Sequence, residues 1–310
     1  MSEPDLRVDL GRGLLLKTPV MAASGTYGYG VEYEDLTDLA AVGAIVVKGL
    51  SPEPRRGNPT PRIVETPCGL LNSIGLENPG VERFLEHKYK RLVEHGATII
   101  ANVYGESEDD YLRVVERLSS PEAEHVLGLE LNVSCPNVKA GGVVFGTDAD
   151  VLGRLVQRVR QATDKHLMVK LTPNVTDIVS LAKVAAEAGA DSLSAINTLL
   201  GIAVDLQTRG AMLGNVTGGL SGPAIKPVAL RMAWQVAQAV DVPVVGIGGI
   251  ATGEDALEYV LVGCHAVQVG TANFVDPRSP IRIAAEMALW LKTEGLPNLA
   301  ALRGTFRATP

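Results

Sequence analysis

Eight short apolar runs rich in strand-forming residues recur along this chain, and a stretch of helical periodicity follows each one. The runs cover residues 20–23, 45–48, 99–103, 127–132, 167–171, 192–196, 244–247 and 266–269. The helical stretches lie near 32–41, 81–95, 108–119, 148–163, 177–188, 223–239, 253–261 and 282–292. Eight strand–helix units predict an α/β fold, a closed parallel (β/α)8 TIM barrel. An open doubly wound sheet is the alternative, and the regularity of the units over 310 residues favours closure. A hairpin over residues 6–16, turning at Gly11-Arg12-Gly13, is placed to plug the barrel floor. No linker or shift in composition interrupts the pattern, so residues 1–310 are expected to form a single domain.

In such a barrel the strand C-termini and the loops after them build one mouth, where chemistry is done. Three of these loops are long, at 49–79, 134–147 and 197–222, and long loops in a compact domain tend to be functional. The strand ends carry Ser24-Gly25, Lys48-Gly49, Asn102, Asn132 with Ser134-Cys135, Lys170, Asn197-Thr198, Gly248-Gly249 and Gly270-Thr271. A lone lysine there would read as a solvated rim charge. Two lysines and a thiol on one rim point to a site. After the last two strands, Gly248-Gly249 and Gly270-Thr271 let backbone N–H groups approach a phosphate.

Cys135 stands between Ser134 and Pro136, with Asn132 and Asn137 on either side. Pro136 cannot continue a strand ladder, so the chain turns there. The asparagines offer donors and acceptors together, which suits a base or nucleophile facing a flat, hydrogen-bonding substrate. A buried inert thiol is the other reading of the same residues. A phosphate grip together with a polar planar pocket suggests flavin mononucleotide. Lys170 is then placed near the pyrimidine end of the ring system, where reduced flavin carries negative charge.

Composition narrows the function classes. Aromatic residues make up 4% and the net charge is −7, which disfavours both base-stacking and phosphate-backbone binding of nucleic acid. Cys68, Cys135 and Cys264 are scattered without a CxxC spacing, so neither a zinc site nor a self-contained iron–sulfur site is visible, and no metal ligands are expected. A reducing, cytoplasmic setting fits this cysteine usage. Residues 1–10 are polar and acidic, which argues against a signal peptide, and no apolar run approaches a membrane span.

Several motifs together carry a family resemblance over nearly the whole chain. They are Lys48-Gly49-Leu50-Ser51, Pro54-Arg55-Arg56-Gly57-Asn58-Pro59, Glu65-Thr66-Pro67, and Leu71-Asn72-Ser73-Ile74-Gly75-Leu76-Glu77-Asn78-Pro79-Gly80. To these add residues 132–137 with 141–146, Ile196-Asn197-Thr198, Ser221-Gly222-Pro223 and the two glycine sites. The chain resembles the class 1 dihydroorotate dehydrogenases, and more closely their 1B type. The resemblance implies oxidation of dihydroorotate to orotate in pyrimidine synthesis, with Cys135 as the base at C5 and a hydride passing from C6 to FMN. Lys48, Asn72 with the Ser73-Ile74-Gly75-Leu76 loop, Asn132, Asn137, Asn197 and Thr198 would hold the substrate. Ser24, Gly25, Lys48, Asn102, Asn132, Lys170, Ile196, Gly222, Gly248, Gly249, Gly270 and Thr271 would line the flavin.

The 1B resemblance also implies a partner subunit carrying FAD and a [2Fe–2S] cluster that passes electrons to NAD, and a homodimer of this chain within a heterotetramer. Two positions depart from the family pattern. Glu77 stands where Gln is expected and is read as a surface change; Thr198 stands where some relatives have Ser and keeps the hydroxyl. The rival readings are the fumarate-linked 1A type, a dihydropyrimidine dehydrogenase-like reductase, and a non-catalytic barrel that senses a phosphorylated ligand. Lys48 beside the Asn72 loop favours a substrate bearing a carboxylate over a neutral pyrimidine. Cys68 reads as incidental, Cys264 as core, all five histidines as structural or solvated, and Trp234 and Trp290 as outer helix packing.

Overall fold

A computed structural model describes residues 3–134 and 145–307. Eight parallel strands close into a barrel in chain order. They are β1 (Val20–Ala22), β2 (Ile45–Leu50), β3 (Ile99–Val103), β4 (Val126–Asn132), β5 (His166–Leu171), β6 (Ser192–Ala195), β7 (Val244–Ile247) and β8 (Ala266–Val269). All eight expected strands are present, with ends shifted by two residues or fewer. β3, β5, β7 and β8 are buried at every position, since helices cover one face and the barrel interior the other. No helix among the described residues is long and apolar enough to cross a membrane.

The outer helices start where the sequence provides caps. Ser107 and Thr252 form capping boxes with Asp110 and Asp255, opening Glu108–Leu118 and Gly253–Leu261. Asp148 and Asp177 accept from first-turn N–H groups of Ala149–Ala162 and Ile178–Glu187. Each such cap is worth about 1 kcal/mol. Lys226–Ala237 and Ser279–Thr293 complete the long helices. The expected helix at 32–41 is absent: the segment holds only two 3-10 turns, Val31–Tyr33 and Leu39–Ala41. Gly30 enters at φ 89°, and the Asp38 carboxylate accepts from Ala40 N at 3.0 Å. That local side-chain bond competes with a helical ladder. The expected helix at 81–95 runs over 81–94 and widens into a π segment, Phe84–Tyr89, between Val81–Arg83 and Lys90–Glu94.

Two of the three long loops are partly ordered as sheet. Ile63–Thr66, Gly69–Asn72, Gly218–Ser221 and Leu199–Gly201 pair into a four-stranded antiparallel strap. Its glycines at 69, 201, 218 and 219 lower strand propensity, and its central pairing joins residues about 150 apart in the chain, such as Gly219↔Asn72. Neither feature is visible to local pattern reading.

The N-terminal hairpin does close the floor. Val8–Asp9 pairs with Leu15–Leu16, and Leu10, Leu14 and Leu16 are fully buried, each worth roughly 1.5–3 kcal/mol. Its turn meets the strand starts: His166 Nδ1 lies 3.0 Å from Gly11 O, and Arg12 Nε donates to Asp191 at 2.8 Å. Asp191 also accepts from Arg160 and from Leu167 N, so one carboxylate ties hairpin, helix and β5 together. His166 Nε2 contacts Ser192 Oγ at 2.7 Å, and Cys264 is fully buried, both in keeping with structural roles.

Burial pushes the His166 imidazole below its usual range and His265 down to about 4, with Arg303 lowering the latter further. Both stay neutral in the folded chain, whereas the unfolded chain takes up those protons below a pH of about 6.5. Stability therefore falls as pH drops from about 6.5 towards 4. The thermal midpoint is expected to fall across that window, and His265→Gln should flatten the fall. An equally steep profile in the variant would count against His265.

Candidate active site

The strand C-termini and the strap enclose a cavity of about 1120 Å³. Every residue expected at the site that lies among the described residues lines it. On the barrel side these are Ser24, Gly25, Lys48, Asn102, Asn132, Lys170, Ile196, Gly248, Gly249, Gly270 and Thr271; from the loops come Asn72, Ser73, Ile74, Gly75, Leu76, Asn197, Thr198 and Gly222. Cys135 and Asn137 lie outside the described residues, but Ser134, directly before the cysteine, lines the cavity.

The amides along one wall are fixed by one another. Asn197 Nδ2 donates to Asn132 Oδ1 at 3.2 Å, and Asn197 Oδ1 accepts from Thr198 N at 2.8 Å. Tyr111 OH holds the Asn132 carbonyl at 2.7 Å from the helix behind. Across the strap, Asn72 Nδ2 donates to Gly219 O at 3.1 Å. Asn174, which sequence reading missed, donates to Thr198 O and accepts from Leu200 N.

The loop 73–76 is clamped in a strained form. Leu76 sits at φ 59°, a left-handed conformation that costs a non-glycine residue roughly 1–2 kcal/mol. The buried Asn78 amide holds its carbonyl at 2.9 Å, and Arg55 Nε holds Gly75 O at 3.1 Å. A Cβ on Gly75 would fall 2.5 Å from Asn58, whose amide donates to Ser73 O and Oγ.

Lys48 projects where the β2–β3 register shifts between Val47 and Leu50. Burial pushes its ammonium below the usual lysine range; Glu77 opposes that shift and Arg62 adds to it. Glu77 is ion-paired with Arg62, which holds its carboxyl below the ordinary range. The departure at Glu77 therefore sits half-exposed, with its carboxylate engaged by Arg62.

Lys170 Nζ lies 3.8 Å from Glu130 Oε1, with the carboxylate fully buried beneath the cavity. Asn102 Nδ2 donates to the same oxygen at 2.7 Å, while Ser194 Oγ at 3.0 Å and Gln268 Nε2 at 2.6 Å donate to the other. Sequence reading missed Glu130, Ser194 and Gln268. The available signal was a polar side chain inside each of three strand runs.

These features fit a flavin nucleotide. The orientation that Glu130 imposes on Asn102 leaves Asn102 Oδ1 buried and without a partner among the described residues, an acceptor in need of a donor. Beside the cavity, a Cβ on Gly25 would meet nothing within 4 Å and one on Gly270 nothing nearer than 3.8 Å, so both leave room for a bound group. Gly248 and Gly249 have a second reason to be glycine: a Cβ would lie 2.5 Å from Ala229 and 2.6 Å from Lys226.

Comparison with known proteins agrees with this geometry. The family model described as dihydroorotate dehydrogenase matches residues 10–291. A protein of Geotalea uraniireducens is 55% identical over 98% of this chain and 99% of its own length, and one of Pelobacter propionicus is 54% identical over 97% and 98%. One of Geobacter sulfurreducens is 54% identical over 98% and 99%. Each of the three is named dihydroorotate dehydrogenase B (NAD(+)), catalytic subunit. With the barrel, the amide-lined mouth and its two lysines in place, matches of this extent leave no gap: the chain belongs to the dihydroorotate dehydrogenase family, and within it to class 1B.

Proposed function

We propose that residues 1–310 act as one unit that oxidises dihydroorotate to orotate for pyrimidine synthesis, with FMN bound at the barrel mouth. The observation that carries this reading is the pairing of Lys48 and Lys170 with a wall of mutually fixed amides in one cavity. Bound there, FMN would supply the acceptor for the C6 hydride. The backbone at Gly248-Gly249 and Gly270-Thr271 would receive its phosphate, and Asn102 with Lys170 would meet its ring edge. Half-buried Lys48 would supply a cation for the substrate carboxylate. Asn72, Asn132, Asn197 and Thr198 present donors and acceptors to a planar ring with amide edges. Asn137 belongs to the same set on its sequence position.

Cys135 is proposed as the base that takes the C5 proton. A free thiol has a pKa of about 8.5, so the site must favour the thiolate or work above neutrality. The electrons then leave through a partner subunit, proposed to carry FAD and [2Fe–2S] in a heterotetramer, on to NAD. The relatives' names as NAD-linked catalytic subunits support this route over the fumarate-linked type. A cytoplasmic location accords with a scattered, odd set of cysteines.

An anaerobic absorption spectrum of the purified chain tests the reading. A bound flavin should bleach on addition of dihydroorotate. Bleaching by dihydrouracil alone would favour the reductase, and a colourless chain that takes up no added FMN would remove the flavin reading. Cys135→Ala should lower flavin reduction by dihydroorotate about 10²–10⁴-fold, the usual worth of a general base, with flavin content unchanged. Normal reduction would exclude Cys135 as the base. Lys48→Met should weaken dihydroorotate binding about 10–100-fold, as loss of a charged hydrogen bond implies; an unchanged KM would remove Lys48 from the carboxylate.

A further inference from the structure

Glu130 sits one layer below the cavity and does not line it, yet it touches two residues that do. Its neighbours come from four other strands: Asn102 on β3, Lys170 on β5, Ser194 on β6 and Gln268 on β8. All four present donors to it, so the carboxylate acts only as an acceptor. A fully buried carboxylate is costly to keep for packing alone. Ser194 and Gln268 hold one oxygen, which leaves the other for the two cavity residues.

We infer that Glu130 is a positioning residue for the flavin. It aims the Asn102 amide and the Lys170 ammonium at the ring from beneath, and its charge sets the reduction potential. The inference rests on the flavin reading of the cavity. Lys170 has a side-chain exposure of only 8%, so water screens little of its interaction with Glu130. A flavin gains negative charge on reduction, and an uncompensated ammonium beside it would favour the reduced form. Glu130 offsets that field and so holds the potential down. A cluster that served folding alone would contribute stability and leave the potential untouched.

Glu130→Gln removes the charge and keeps the shape. The cluster can accept it: the Ser194 hydroxyl can turn, and Gln268 Oε1, buried without a partner among the described residues, can take a hydrogen bond from the new amide once the Gln268 amide turns over. The test is spectroelectrochemical titration of bound FMN in the flavin-loaded wild type, Glu130→Gln, and Ser194→Ala, which disturbs the same cluster without altering charge. In Glu130→Gln the two-electron reduction equilibrium should shift at least tenfold towards reduced flavin, about 30 mV upward, and Ser194→Ala should leave it in place. A potential that stays or falls in Glu130→Gln, or an equal rise in Ser194→Ala, overturns the inference. Should Glu130→Gln fold but take up no flavin, Glu130→Asp decides: recovery of uptake with the wild-type potential supports the role, and failure to recover either overturns it. A wild-type chain that binds no FMN would instead defeat the flavin reading itself.

Discussion

The site depends on closure of the parallel sheet where β1 joins its neighbours. β8 and β1 pair at three positions, but β1 and β2 pair at only one, Ala22↔Ile45. That seam is reinforced by bonds outside the ladder. Gly43 N donates to Val20 O, Ala22 N to Ala44 O, and Ser24 Oγ to Val47 O. Lys48 N then reaches across to Gly28 O. The seam leads directly into the cavity, so the bonds that close the barrel also place Ser24, Gly25 and Lys48 on its rim. An open sheet would spread the same strand ends along one edge, and the two lysines could not share a cavity with the amides of β3, β4 and the loop after β6.

The barrel was legible in the sequence because its strands are largely buried on both faces and a helical stretch follows seven of them, four opened by side-chain caps. Those signals are local and recur along the chain, so errors at single ends do not accumulate. The rim was legible for the same reason: once the strand ends are known, topology gathers them. Reading failed where the structure depends on distant partners. The strap pairs Gly219 with Asn72 through glycine-rich segments, and no local preference announces it. The segment 32–41 has helical periodicity, but Gly30 and Asp38 set its backbone first. Glu130 and Gln268 lay inside apolar runs and were absorbed into them, because a run is judged by its majority.

The interior of the barrel is polar in layers. His166 and Ser192 lie at the floor, Glu130 with Ser194 and Gln268 in the middle, and Lys170 with Asn132 under the mouth. An isolated buried carboxylate would cost several kcal/mol, and only a full set of donors on both oxygens makes it tolerable. The layer is therefore cooperative. Each donor is justified by the carboxylate, and each is held by a different strand, so the cluster also fixes how those strands meet. Chemistry at the mouth inherits that rigidity from below, which an apolar filling could supply for shape but not for the direction of an amide or an ammonium.

The two sides of the cavity are built by different means. The side proposed for the cofactor rests on barrel staves, whose geometry is set by closure and by the layer beneath. The side proposed for the substrate rests on the strap and on the loop at 73–76, held by Asn58, Arg55 and Asn78 against the strain at Leu76. A clamp of that kind can yield locally without opening the barrel, since its strands belong to a separate sheet. This division suits a catalyst that must keep one bound group permanently and exchange another at every turnover. Glu77 belongs to the strap side as well: it pairs with Arg62, and its carboxylate opposes the lowering of the Lys48 ammonium by burial.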